Sequence, residues 1–129
     1  MANSYTRKNL AAVDDSAARF GIGEFQEARF ATEDLGAEHT GVSYLRVKAG
    51  RKQAFAHKHE DAEEVYVVLK GSGRIKIDDD ILDLEPLDAV RFAPKAVRML
   101  EAGPDGLEIL AFGPCHKGDG ELIQDWWTD

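Results

Sequence analysis

Short runs of alternating apolar and polar residues, separated by turn residues, fill most of the chain after Gly23. A period of two is typical of β-strands, and many short strands at close spacing are typical of a sandwich or barrel. The pattern therefore predicts an all-β fold. The predicted strands are residues 24–31, 42–47, 53–59, 64–69, 74–77, 81–84, 89–92, 97–101 and 107–112.

Glycine-rich segments mark the turns between these strands. Residues 71–73 are predicted to turn the chain, and residues 103–106 (GPDG) indicate a hairpin loop. Residues 64–69 are apolar on both faces, which predicts a strand in the middle of a sheet, covered on each side. Residues 9–19 are the only stretch with helical character and predict a short N-terminal helix or turn.

The size and charge of the chain limit its class. Its 129 residues, 43% of them hydrophobic, fit one domain over residues 1–129: an N-terminal segment 1–23, a core 42–112 and a C-terminal extension 114–129. Sixteen basic against 24 acidic residues give a net charge of −8, which argues against nucleic acid or an anionic membrane as partner. The longest purely apolar run, residues 65–69, is too short to span a bilayer. A single cysteine and no secretory signal at the N-terminus lead us to expect a cytoplasmic protein.

The candidate chemistry lies at His57, His59 and Glu64. Positions i and i+2 of a strand share a face, so the two imidazoles should project side by side, with Phe55 on the same face. Glu64 begins the next strand, and Tyr66 shares its face. Two histidines and a carboxylate on adjacent strands form a facial set that suits Fe(II), Mn(II), Ni(II) or Zn(II) and leaves coordination positions open. Two surface histidines beside an acidic loop would give the same local pattern.

The framing glycines favour the metal interpretation. The segment GRKQAFAHKHEDAEEVYVVLKGSG resembles the first motif of the cupin superfamily, G-x5-H-x-H-x3-4-E-x6-G. Glu64 and Gly71 follow the histidines at the motif's spacing, whereas Gly50 precedes His57 by six positions instead of five. The resemblance, over residues 42–112, implies a jelly-roll β-barrel (a double-stranded β-helix), a divalent metal held by His57, His59 and Glu64, and a homodimer. Trp126 and Trp127 are expected to dock on their own domain or on a second subunit, and in the second case they would be buried at that dimer interface.

The second cupin motif, G-x5-P-x-G-x2-H-x3-N, is only weakly matched by LDAVRFAPKAVRMLEA. Leu87 stands at its first glycine and Arg98 at the histidine that normally supplies a fourth ligand. A guanidinium has no free lone pair, and about 5 Å from a dication it would repel the ion by about 6–7 kcal/mol at an effective dielectric near 20.

Three arrangements of Arg98 follow. In the first, Arg98 binds an anionic ligand at the mouth of the pocket of a metal enzyme. In the second, it forms an ion pair with Glu64 in place of the metal. In the third, its side chain points outward and has no role in the site. The alternation of residues 97–101 leaves its direction open. The first arrangement gives a metal-dependent cupin that acts on or binds a small anionic organic molecule, with Arg98, Tyr66 and Phe55 as ligand contacts. As an enzyme it would be a dioxygenase, isomerase, epimerase or decarboxylase. The second arrangement gives a metal-free module that binds a sugar or an organic acid.

Overall fold

The structure, a computed structural model, describes residues 4–115 and 118–129 and confirms the all-β prediction. This part of the chain forms one antiparallel sheet of eight strands. Three short turns of helix accompany it: a 3-10 turn (Leu10–Ala12), α1 (Ser16–Arg19) and α2 (Thr32–Leu35). The strands are β1 (Gln26–Phe30), β2 (Thr40–Val47), β3 (Ala56–His59), β4 (Glu64–Ile77), β5 (Asp80–Leu84), β6 (Ala89–Phe92), β7 (Arg98–Pro114) and β8 (Gly120–Ile123).

Strands β4 and β7 are the centre of the sheet and pair along most of their lengths. From β7 the sheet continues on one side through β2 to β1, and through β3 to β8, while β4 also pairs with β5 and β6. The sheet curls so that alternate side chains meet inside it, because successive residues of a strand point to opposite faces. The largest apolar side chains of this core are Tyr66, Phe92, Ile75, Leu100, Leu107, Ile109, Val47 and Val68.

The central position predicted for residues 64–69 is confirmed, but their two faces are not equally covered. Tyr66 and Val68 are buried, whereas Val65 and Val67 are half-buried and Leu69 is 42% exposed. The outer face of β4 is therefore only partly covered within one chain.

The hairpin predicted at residues 103–106 is wrong, as is the turn at residues 71–73. Both segments lie inside continuous strands, and the chain does not reverse at either. Gly71 pairs with Leu107 and Gly73 with Ala102, so residues 103–106 form a large bulge opposite one residue of β4. A Cβ on Gly71 would meet the carbonyl oxygen of Gly106, which explains the glycine: the bent strands approach too closely for a side chain.

The short helix or turn predicted for residues 9–19 is confirmed, as the 3-10 turn and α1, whereas β8 was not predicted at all. The first three residues and residues 116–117 lie outside the described part of the chain. Trp127 is buried in its own chain against Ala56 and Met99, with Trp126 packed beside it, so of the two expected locations Trp127 occupies the one on its own domain. Across the described residues, no helix has the length and apolar character needed to cross a bilayer.

Candidate metal centre

Strands β3 and β4 bring the predicted triad together. His57 and His59 lie on β3, the chain turns through residues 60–63, and Glu64 is the first residue of β4. One nitrogen of each histidine and one oxygen of Glu64 all lie within 4.8 Å of one another. Glu64 Oε1 is 3.4 Å from His57 Nε2 and 3.9 Å from His59 Nε2. The spacing of these three residues in the sequence therefore predicted a real cluster.

The cluster fits a divalent metal in donor type and nearly in size. Ligand atoms at roughly 2.1 Å from one ion are separated by about 3.0–3.4 Å when they occupy adjacent positions. The distance from Glu64 to His57 already has this value, and that from Glu64 to His59 is about half an ångström longer. Small side-chain rotations would close the set around one ion.

Arg98 points inward, which answers the question that the alternation of residues left open. It is the direct cross-strand neighbour of His57, and such neighbours share a face of the sheet. Its side chain is fully buried, and Nη2 donates to Glu64 Oε1 at 2.6 Å. Nη1 donates to the carbonyl oxygens of Pro94 (3.3 Å) and Ala96 (2.8 Å). The guanidinium is thus held in a fixed position beside the triad.

The charges around Glu64 set its protonation state. Burial alone raises the pKa of this carboxyl, but hydrogen bonds and charge from His57 and Arg98 outweigh it and lower the pKa to about 2. Burial lowers the pKa of His59, against the opposing charge of Glu64. At neutral pH the cluster therefore contains a carboxylate and a neutral His59, the forms that bind metals.

Tyr66 and Phe55 were the other predicted site residues. Tyr66 is 2% exposed and packs edge-to-face on Phe92, with ring centroids 4.7 Å apart. Burial, followed by the charge of Glu64, raises the pKa of Tyr66, so its hydroxyl stays protonated and would serve as a donor, not a base. Phe55 is half-buried just before β3. Neither residue lines the cavity described next, and their ligand contacts stay predictions.

A cavity of about 550 Å³ opens from the triad toward α2. His59 and Glu64 form part of its wall, whereas His57 and Arg98 do not. Its polar wall includes Thr32 and Ser43, which the sequence did not indicate because they lie outside the motif. The remaining lining residues are Phe30, Glu33, Ala37, Glu38, Gly41, Ala62, Ala111, Phe112, Gly113, Pro114 and Cys115.

Asp119 is a further residue of the site that sequence reasoning missed. Its Oδ2 lies 3.5 Å from Nδ1 of His59, on the side of the ring away from Glu64. Its sequence context, Gly118-Asp119-Gly120, is typical of a turn and carries no sign of this contact.

Sequence comparison gives one partial relative. No protein-family model matches the chain. An uncharacterized protein of Methanocaldococcus jannaschii is 30% identical over 71 residues, which are 53% of this chain and 57% of that protein. The match thus spans little more than half of either protein, and the relative's name gives no function.

Solved structures resemble the chain over nearly its whole length. A cupin protein from Bacteroides fragilis is 23% identical, with a TM-score of 0.71 and 99% of each chain covered. Oxalate decarboxylase of Bacillus subtilis is 19% identical with a TM-score of 0.79, over 98% of this chain and 34% of that enzyme. The polyketide cyclase RemF from Streptomyces resistomycificus is 18% identical with a TM-score of 0.73, over 100% and 89% of the two chains. At these identities the likeness shows the fold and not the activity: the chain has the cupin fold.

Proposed function

We propose that this protein holds a divalent metal through His57, His59 and Glu64 and acts on a small organic molecule in the adjoining cavity. The observation that carries the proposal is the convergence of three donor atoms within 4.8 Å, two of them from His59 and Glu64, which line that cavity. The donor set matches sites that keep coordination positions open, as an enzyme requires. An oxalate decarboxylase among the structural neighbours agrees with a reaction on a small organic molecule in a barrel of this fold.

Each residue of the site has a separate task in this proposal. A bound dication would supply a Lewis acid with open positions for a ligand oxygen. Glu64 brings one negative charge, so the ion and carboxylate together stay cationic. His59 and Glu64 face the cavity, where they would position the ligand's polar end.

The expected preference for an anionic ligand rests on the metal in this proposal, and not on Arg98. We expected Arg98 to bind the anion, but its side chain is fully buried and lies outside the cavity wall. The cavity residues that the structure describes include Glu33 and Glu38 and no lysine or arginine. The attraction for an anion would therefore come from the metal itself. The reaction types expected from the resemblance, dioxygenase, isomerase, epimerase or decarboxylase, stay open.

A metal-free binding module is the second candidate. The observation that favours it is the 2.6 Å ion pair of Arg98 with the Glu64 oxygen that also lies closest to both histidines. In that case the guanidinium replaces the metal charge, and the cavity binds a sugar or an organic acid without turnover. We rank the metal site first because the three donors form a complete facial ligand set, and a buried ion pair often stabilises a fold no more than an apolar pair of the same volume would.

Elemental analysis tests the two candidates. Untagged protein purified without chelator is compared with the His57→Ala/His59→Ala double variant, before and after soaking in Fe(II), Mn(II), Ni(II) and Zn(II). Near-stoichiometric metal in the wild type and none in the variant supports the metal centre. Trace metal in both proteins after soaking supports the metal-free module.

We also propose that the protein is a cytoplasmic homodimer. Val65, Val67 and Leu110 lie on the outer face of β4 and β7, and none of them is buried within one chain. A second copy on this face would cover it. Light scattering at micromolar concentration tests this, with a monomer mass as the contrary result.

A further inference from the structure

The carboxylate of Asp119 joins the C-terminal segment to the turn between β3 and β4. Its Oδ1 accepts from the backbone N–H groups of Glu60 (3.2 Å) and Asp61 (3.0 Å), and its Oδ2 from that of Ala62 (2.9 Å). The side chain is 7% exposed. Three donors on one buried carboxylate fix the turn that separates two of the triad residues.

The same carboxylate faces the back of His59. Oδ2 lies 3.5 Å from Nδ1, while Nε2 of the same ring points to Glu64 at 3.9 Å. Nδ1 is buried and has no hydrogen-bond partner, which is costly for a polar nitrogen. A small rotation of the imidazole ring that shortens the distance from Nδ1 to Asp119 Oδ2 by about half an ångström would form a hydrogen bond between them.

We propose that Asp119 is a positioning residue that accepts a hydrogen bond from Nδ1–H of His59 and so leaves the lone pair of Nε2 directed at the metal position. A neutral imidazole carries one proton, and the group that binds one nitrogen decides which nitrogen keeps it. A carboxylate can only accept and therefore selects the Nδ1–H tautomer. Carboxylates behind metal-binding histidines act in this way in metal sites generally.

This role deepens the proposed metal function, but the tautomer does not depend on it. The opposite possibility is that Asp119 only fixes the turn. The substitution Asp119→Asn tests the two roles through different measurements. An asparagine keeps the acceptor for the N–H groups of Glu60 and Asp61, loses the one for Ala62, and places an NH₂ donor where Oδ2 stood. A donor there favours His59 with a bare Nδ1 and a proton on Nε2, the nitrogen that the metal needs.

The test reads the tautomer of His59 by long-range ¹H–¹⁵N NMR in metal-free protein at about pH 8, where imidazoles are neutral. We expect Nδ1–H in the wild type and a shift toward Nε2–H in Asp119→Asn. The affinity for Zn²⁺ added alone should fall by about 10–100-fold in the variant. The matched control is Glu121→Gln, which removes one negative charge from β8 at a side chain that pairs with Lys58, and it should change neither readout.

Nε2–H in the wild type would overturn the proposal without any variant. So would an unchanged tautomer in Asp119→Asn together with weaker Zn²⁺ binding, because the carboxylate would then act through the turn alone. If the wild type binds no metal, the proposed function fails, yet the tautomers of the two proteins still decide the role of Asp119.

Discussion

Arg98 Nη2 and Glu64 Oε1 meet at 2.6 Å beside the two histidines, at the position where the second cupin motif would place a fourth metal ligand. The guanidinium is fully buried, held by two backbone carbonyls and stacked over Phe92 at 4.6 Å. The oxygen that it binds is the one nearest to both histidines. A metal at this site must therefore share Glu64 with a fixed positive charge, which weakens binding and leaves the ion more electrophilic.

Replacing this cation should strengthen metal binding. Arg98→His removes the repulsion and offers a nitrogen beside His57, so the affinity for Zn²⁺ should rise by at least about 100-fold. This gain is smaller than the full Coulomb repulsion would give, because water enters the space that the arginine leaves and screens the charges. Competition with a chromophoric chelator measures it. Arg98→Gln is the control, since it removes the charge without adding a nitrogen ligand and should give a smaller gain. Unchanged or weaker binding in Arg98→His would show that Arg98 does not oppose the metal.

The ion pair also predicts how the metal-free protein responds to acid. The folded pKa of Glu64, about 2, lies below its ordinary value of 4.5, so the folded state binds this proton less readily than the unfolded chain does. The resulting stabilisation, about 3 kcal/mol, is complete above pH 4.5 and is lost as the pH falls toward 2. Chemical denaturation across this range measures it.

Glu64→Gln is the control for the acid response. The amide cannot ionise, so the fall in stability between pH 4.5 and 2 should be smaller by this amount. At pH 7 the variant should be less stable by about 3–5 kcal/mol, because it leaves Arg98 buried without a counter-charge. Parallel acid profiles in the two proteins would contradict the role assigned to Glu64.

Much of the strand series could be predicted because its signal is local. β6 was predicted with its observed bounds, and β2 and β5 within two residues. The full lengths of β4 and β7 could not be predicted, because Gly71 and Gly106 indicate a bend whether or not the chain reverses there. Only the pairing partner decides between a hairpin and a bulge, and that partner is distant in the sequence.

In the site, too, the residues close together in the sequence could be predicted and the distant ones could not. His57, His59 and Glu64 could be predicted from spacing within eight residues. The direction of Arg98 could not, because Leu100 packs in the barrel core while Met99 packs under Trp127, so both faces of this strand are apolar. Asp119 was missed because its contact with His59 spans 60 positions and depends on the pairing of β8 with β3.

Leu87, which replaces the first glycine of the second motif, adopts a backbone conformation that favours glycine. Its φ is +72°, and its side chain is 83% exposed, so little packing compensates the strain. A left-handed conformation costs an L-residue about 1–2 kcal/mol, and a glycine would remove this cost. The glycine would also destabilise the fold by about 0.4–1 kcal/mol, because it adds conformational freedom to the unfolded chain. Leu87→Gly should therefore stabilise the protein by about 0.5–1 kcal/mol in urea unfolding. Leu82→Gly, at an exposed leucine without positive φ, should destabilise it, and equal losses in both variants would refute the strain.

Trp127 supports the site from outside the barrel. It is 3% exposed and packs on Ala56, the residue before His57, so the tail braces the strand that carries both histidines. Trp127→Ala should lower the free energy of unfolding by about 3–5 kcal/mol, since the space it leaves cannot fully collapse. Metal affinity should fall too, because β3 loses its support. Trp126→Ala, at a half-buried ring beside Lys76, is the matched control and should cost clearly less on both measures. Urea unfolding and chelator competition on the two variants measure these effects. A large loss of stability in Trp127→Ala with unchanged metal affinity would show that the tail stabilises the fold without positioning the triad.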